Sequence, residues 1–213
     1  MESSPDKRKR SNTRRKLVSA AAQVFAEKGV AGATVDDLVT AAGFTRGAFY
    51  SNFSTKEEVF AAALSEFTEE LVEAMQLGIE EQGPSASPQD SMRGVLSAIR
   101  PLGRIWVLLE AEGVRQALID EDVRDVYLRS RDYLARALLV SMTQSDHELS
   151  TTFAQYPQPL LRNLADIILN AYSESIILEL LEGIDSTNRL VTLLTQLLGL
   201  DQETGDSDNR APL

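Results

Sequence analysis

Five residues that could hold a nucleic acid lie close together in the chain: Thr45, Arg46, Tyr50 and Asn52 within TRGAFYSN, and Lys56 four places on. Arginine at the start of a helix can donate two hydrogen bonds to the O6 and N7 atoms of a guanine. Hydroxyls and a side-chain amide suit phosphate oxygens or base edges. Between these groups stand Gly47, Ala48 and Ser51, with almost no side chain. A helix with so lean an outer face lets its backbone come close to whatever it touches. Phe49 and Phe53, four apart on the other side, give it a buried face, and Phe44 reads as core with them.

Such a helix must be held by others, and the flanking sequence supplies them. RRKLVSAAAQVFAEKGV places Leu17, Ala21, Val24 and Phe25 on one face, and Gly29 ends it. TVDDLVTAAG starts at Thr34, an N-cap type, with Asp36 and Asp37 in the first turn and Gly43 as its stop. The lean helix begins at Thr45, and STKEEVF opens a fourth helix that runs to about residue 82. Two helices joined by a short glycine turn, with apolar faces toward each other, form a helix-turn-helix whose second helix enters the DNA major groove. Thr34 and Lys56, each at a helix start, are placed to meet phosphates.

Charge follows the same division. Residues 1–56 carry ten Lys or Arg against five Asp or Glu, and all five lysines. The remainder carries eleven against twenty-seven, so the net charge of −11 is that of a basic head on an acidic body. KRKRSNTRRK, residues 7–16 with Arg10 and Arg14, reads as a basic disordered arm for phosphates or the minor groove, or as a solvated tail. The chain lacks cysteine, and its single histidine, His147, lies in a polar stretch. Disulfides and thiol chemistry are excluded, and no metal set, nucleophile with base or phosphate loop is evident, so neither enzyme nor cofactor is expected. With no apolar run of the ~20 residues a membrane helix needs, a soluble, cytoplasmic protein without membrane partners is expected.

Helical periodicity continues through 57–200: a helix from about Pro88 to Ile99, a largely apolar one around Trp106, an amphipathic one from Glu121, then 159–182 and 187–198. The fold class is therefore all-α. About nine helices form an N-terminal three-helix helix-turn-helix DNA-binding domain (13–56, after an arm at 1–12) and a larger helical ligand-binding and dimerisation bundle (57–200). An acidic tail, 201–213, is expected to be disordered.

The run TVDDLVTAAGFTRGAFYSNFSTKEEVFAAAL, with AAAQVFAEKGVAGAT before it, resembles the tetracycline-repressor (TetR) family of bacterial transcriptional regulators. The resemblance covers about residues 14–64. It rests on Phe25, Gly29, Thr34, the AAGF turn, TRGAFY, Phe53 and the KEE that follows. Asn52 stands where the family more often has His or Tyr. By this resemblance Arg46 and Ala48 would read bases, and Thr34, Tyr50 and Lys56 would hold phosphates, with Gly47 and Asn52 also at the interface.

A regulator of this kind implies a homodimer on double-stranded DNA with a pseudo-palindromic operator, and a small-molecule effector. The last two helices offer a dimer interface through Leu160, Leu164, Ile168, Ala171, Leu178, Leu190, Leu194 and Leu197, unless these pack within their own subunit. Phe67, Met92, Trp106, Glu110, Tyr127, Tyr133, Met142 and Phe153 would wall a ligand pocket, although each also reads as core. Arg104, Glu110, Glu112 and Arg115 would pair with one another or orient the ligand. Release from the operator on effector binding makes the protein a repressor; a helical protein-interaction adaptor is the rival reading.

Overall fold

The computed structural model of the chain describes residues 5–83, 86–144, 156–185 and 187–197. These residues form nine α-helices: α1 (Pro5–Gly32), α2 (Val35–Ala42), α3 (Arg46–Tyr50), α4 (Lys56–Glu80), α5 (Pro88–Ile99), α6 (Gly103–Ala117), α7 (Glu121–Gln144), α8 (Gln158–Glu182) and α9 (Thr187–Leu197). A short 3-10 turn, Arg100–Leu102, links α5 to α6. The all-α class and the succession of a small head and a larger bundle are those the periodicity predicts. His147, Phe153 and the tail 201–213 lie outside the described residues, as do the side chains of Met142 and Leu197.

Helix ends follow their local chemistry. Thr34 caps α2 through a reciprocal pair: the Asp37 N–H donates to the threonine hydroxyl at 3.1 Å, and the Thr34 N–H donates to the Asp37 carboxylate at 2.9 Å. Hydrogen bonds from Lys28 first, then from Thr34, hold the Asp37 carboxyl well below the usual carboxylate range. Gly43, with φ 71°, closes the same helix in the left-handed conformation that favours glycine. Thr45 caps α3 and Thr55 caps α4, while Glu58 accepts the Ser54 N–H at 2.7 Å.

Two features depart from the sequence reading. The segment assigned to a disordered arm is helical from Pro5, as the first turns of α1. Gly29 does not end that helix outright. It leaves the helical conformation at φ 65°, and the chain then turns again as far as Gly32.

One apolar cluster runs from Leu17, Phe25 and Phe60 of the head, through Leu64, Phe67 and Leu71 of α4, to Trp106, Leu109 and Leu134 of the body. Helix α4 is thus a common beam, packed on α1 at its start and on α5 and α7 further along. Its crossing with α5 is close: a Cβ on Gly78 would stand 2.7 Å from the Gly94 carbonyl oxygen, so only glycine permits the approach.

Several polar groups inside the body pair with one another, although one oxygen of the Glu179 carboxylate is buried without a partner. The Trp106 indole N–H donates to the Ser173 hydroxyl at 3.0 Å, and that hydroxyl donates to Glu110 at 2.9 Å. Arg131 closes the network on the other Glu110 oxygen. Tyr172 donates to the Ile99 carbonyl at 3.1 Å, and its burial pushes the phenol well above the ordinary range. Arg100 joins Glu179 and Asp185, each at 2.6 Å, tying the 3-10 turn before α6 to the end of α8.

Candidate nucleic-acid interface

Helices α2 and α3 meet through the Gly43 turn, and α3 presents two unlike sides. Phe49 and Phe53 are buried, with Phe49 set edge-on to Tyr50 at 5.2 Å between ring centres. Arg46, Gly47, Tyr50 and Ser51 are exposed, Tyr50 at 60%. A Cβ added at Gly47 would meet nothing nearer than the Thr45 hydroxyl at 3.8 Å. Among the described residues, no packing contact requires glycine there.

Arg46 forms a two-point pair with Asp36 of α2, at 2.5 and 2.7 Å. Both side chains are more than 60% exposed. Such a surface pair is easily exchanged for a stronger partner. The pair holds the guanidinium in place beside the lean face.

The remaining sequence candidates divide into two groups. Thr34, Tyr50 and Lys56 line one cleft of about 350 Å³ beside α3, so the structure brings the three expected phosphate contacts together. Lys56, however, is half-buried, and its ammonium donates to the Val30 and Ala33 carbonyls at 2.7 and 2.6 Å. It caps the end of α1 instead of standing free for phosphate. The Thr34 and Thr45 hydroxyls likewise act as helix caps.

Asn52 is turned back on its own helix: its amide donates to the Ala48 carbonyl at 2.8 Å and to the Ser51 hydroxyl at 3.1 Å. Arg10 and Arg14, both exposed, reach the backbone at the end of α3. Arg10 donates to the Ser51 carbonyl at 2.7 Å, and Arg14 to the Asn52 carbonyl at 3.4 Å, its guanidinium 4.1 Å above the Phe53 ring. Two cations therefore sit at the carbonyl end of α3, where a helix is negative. They steady the exposed helix from behind.

Sequence reasoning left the role of Glu112 open, and the structure decides it. From α6 its carboxylate accepts the Val30 N–H at 2.7 Å, just beyond the Gly29 break in α1. Arg115 and Gln116 donate to the same carboxylate. Burial pushes the Glu112 carboxyl up, but hydrogen bonds from Arg115, Gln116 and the Val30 N–H outweigh it and hold the group down to about 2. The Val30 backbone, through its N–H and its carbonyl, thus joins Glu112 of the body to Lys56 at the start of α4. No local pattern announces a contact across 82 residues; only the break at Gly29 marks where it falls.

Among the described residues, the side chains expected to wall a ligand pocket take different places. Phe67 and Trp106 are buried in the core, Met92 and Tyr127 pack against it, and Glu110 is taken by Arg131 and Ser173. Large apolar side chains fill the space between helices as core normally does. Tyr133 stands apart, 47% exposed on α7. The interface candidates also separate: Ile168, Leu190 and Leu194 are buried in their own subunit and are withdrawn from a surface, whereas Leu160 is exposed and Leu164, Ala171 and Leu178 are half-buried. Among the described residues, no three His, Asp or Glu are grouped to hold a metal ion, and no helix is long and apolar enough to cross a membrane.

Residues 17–63 match the family model for bacterial regulatory proteins of the tetR family. The chain is 45% identical over 53 residues to the HTH-type transcriptional regulator SrpR of Pseudomonas putida, 25% of either protein. It is 29% identical over 134 residues to the HTH-type transcriptional repressor AcnR of Corynebacterium efficiens, 63% of this chain and 66% of that one. The matched part thus spans between a quarter and about two thirds of these curated relatives. Among solved structures, a TetR-family transcriptional regulator from Cytophaga hutchinsonii superposes with a TM-score of 0.67 at 17% identity, covering 93% of this chain and 97% of that one. A TetR regulator from Chloroflexus aurantiacus superposes at 0.65 with 20% identity, covering 89% and 97%. At these identities the likeness is one of fold.

Proposed function

The chain belongs to the tetR family of bacterial regulatory proteins, and from that premise we propose a homodimeric, sequence-specific regulator of transcription. It binds double-stranded DNA at a pseudo-palindromic operator as a repressor, and a small-molecule effector releases it. The observation that carries this reading is the exposed face of α3, where Gly47 and Ser51 leave the backbone bare beside Arg46. Base edges can approach such a helix closely, and Arg46, with Ala48, is the residue to read them. Tyr50 and Thr34 supply phosphate contacts from the adjoining cleft. The two relatives named above carry HTH-type regulator and repressor names, which supports the same assignment.

One short recognition helix makes few contacts, so specificity calls for two copies. On α8, Leu160, Leu164, Ile167, Ala171, Leu178 and Leu181 recur at steps of three, four and seven, and none is fully buried. Leu181 is 79% exposed and Ile167 55%. This apolar stripe is the surface on which a second copy would close a four-helix arrangement with α9, whose Leu193 is also exposed. Sedimentation equilibrium of the full chain is expected to give twice the monomer mass. Leu181→Asp with Ile167→Asp, both on the surface, is expected to give monomers that keep their helical spectrum. A dimer that survives both changes would place the interface elsewhere.

A further inference from the structure

We propose that the cleft between α4 and α7, roofed by Arg14 of α1, binds a planar aromatic acid. The cleft holds about 460 Å³, within the range of small-molecule sites. Ala61, Ala62 and Val126 give it apolar walls, and the Tyr133 ring stands at its edge with nearly half its surface free. An aromatic ring of this kind favours a flat occupant that can stack on it.

Polar groups fix what the occupant must carry. Ser130 is only 7% exposed and lines the cleft, yet its hydroxyl has no hydrogen-bond partner among the described residues. That hydroxyl opens onto the cleft and is free to donate to an entering acceptor. Next to it on α7, Arg129 lines the same cleft, with no carboxylate within ion-pair distance among the described residues. Two acids also line the cleft, from the α4 wall. Glu58 already accepts the Ser54 N–H, and Glu69 lies at the side shared with a neighbouring groove along Glu66, Glu70 and Glu73. Their charge turns an anionic group toward α7, where Arg129 and Ser130 can hold a carboxylate while the ring lies over Ala61 and Ala62.

The cleft reaches the DNA-binding face by short links. Arg14 joins the cleft to the Asn52 carbonyl and the Phe53 ring, and Glu58 joins it to the Ser54 N–H. An occupant that displaces either side chain loosens the carbonyl end of α3. This site deepens the effector reading above and rests on it for the regulatory consequence alone.

The probe is 1-anilinonaphthalene-8-sulfonate, an aromatic anion with a flat naphthalene ring that fluoresces in apolar surroundings, titrated into the full-length protein without DNA. Saturable enhancement is expected, weakened about tenfold or more by Arg129→Glu and by Tyr133→Ala, a loss of one order in affinity. Both residues are exposed, and unchanged far-ultraviolet circular dichroism would show that the variants fold. Enhancement that is absent, or unchanged in both variants, would overturn the site. Equal competition for the probe by the planar cation ethidium would overturn the choice of an acid. Since fluorescence reads the cleft without DNA, failure of the regulator reading leaves this test standing.

Discussion

Arg46→Ala is expected to weaken binding to the chain's preferred duplex by about 1–3 kcal/mol, the worth of a two-point arginine contact to a base. The loss should fall on one base pair of each half-site, where all four bases become nearly equivalent. The salt dependence should change little, because a base contact releases no condensed counterions. Fluorescence anisotropy on a set of single-base variants would read both effects. Arg46 and Asp36 are each more than 60% exposed, so the substitution opens no cavity and should leave the fold intact. Losing Arg46 also leaves Asp36 unpaired beside the DNA, so Asp36→Asn in the same background separates repulsion from lost readout. Uniform weakening across all sequences would mean that Arg46 holds a phosphate and that bases are read elsewhere on α3.

Glu112→Ala is expected to lower the stability of the folded chain by about 1–3 kcal/mol, the cost of leaving a part-buried N–H without its acceptor. The Val30 N–H, Arg115 and Gln116 would all lose the same partner. Thermal unfolding followed by circular dichroism measures the change. The pH dependence gives a sharper signature. The Glu112 carboxyl is held down to about 2 from a usual value of 4.5, so its charged form stabilises the native state. That contribution is complete above about pH 4.5 and fades as the pH falls toward 2. The stability gap between the parent and Glu112→Gln should therefore be widest from pH 5 to 7 and close near pH 2. A gap independent of pH would show that the carboxylate acts only by filling space. Because the Val30 carbonyl is held in turn by Lys56, the effector reading proposed above implies that the same substitution lessens any change in DNA affinity that an effector causes, which anisotropy with and without effector would measure.

The parts of this fold legible in the sequence are those decided within a few residues. Thr34, Thr45 and Thr55 are caps because a hydroxyl can reach an N–H three positions on, and each does so. Gly43 stops a helix because it takes a positive φ at no steric cost, and Phe49 and Phe53 are core because four residues separate them on a helix. Side-chain destinations over longer range were not legible. Lys56 has the type and place of a phosphate ligand, but the carbonyls that occupy it lie 23 and 26 residues earlier. Arg10 and Arg14 read as a loose basic arm because nothing local shows that α1 passes behind α3.

The body shows the same limit. Aromatic and methionine side chains look alike in sequence whether they line a cavity or fill one, and Phe67 and Trp106 fill it. The period of α8 marks apolar positions without saying which neighbour covers them. Ile168 turned out to face its own subunit, while Ile167, next to it, faces out. The Ser130 cleft has no sequence signal, since a serine on a helix announces neither burial nor a missing partner.

The most direct test of the central claim is selection of bound duplexes from a random pool by the purified full-length protein at about physiological salt. The account predicts an enriched inverted repeat whose half-sites lie about one helical turn apart, or a multiple of it, as two recognition helices of a dimer require. Absence of an enriched sequence, in a preparation unfolded and refolded to strip any bound effector, would contradict it.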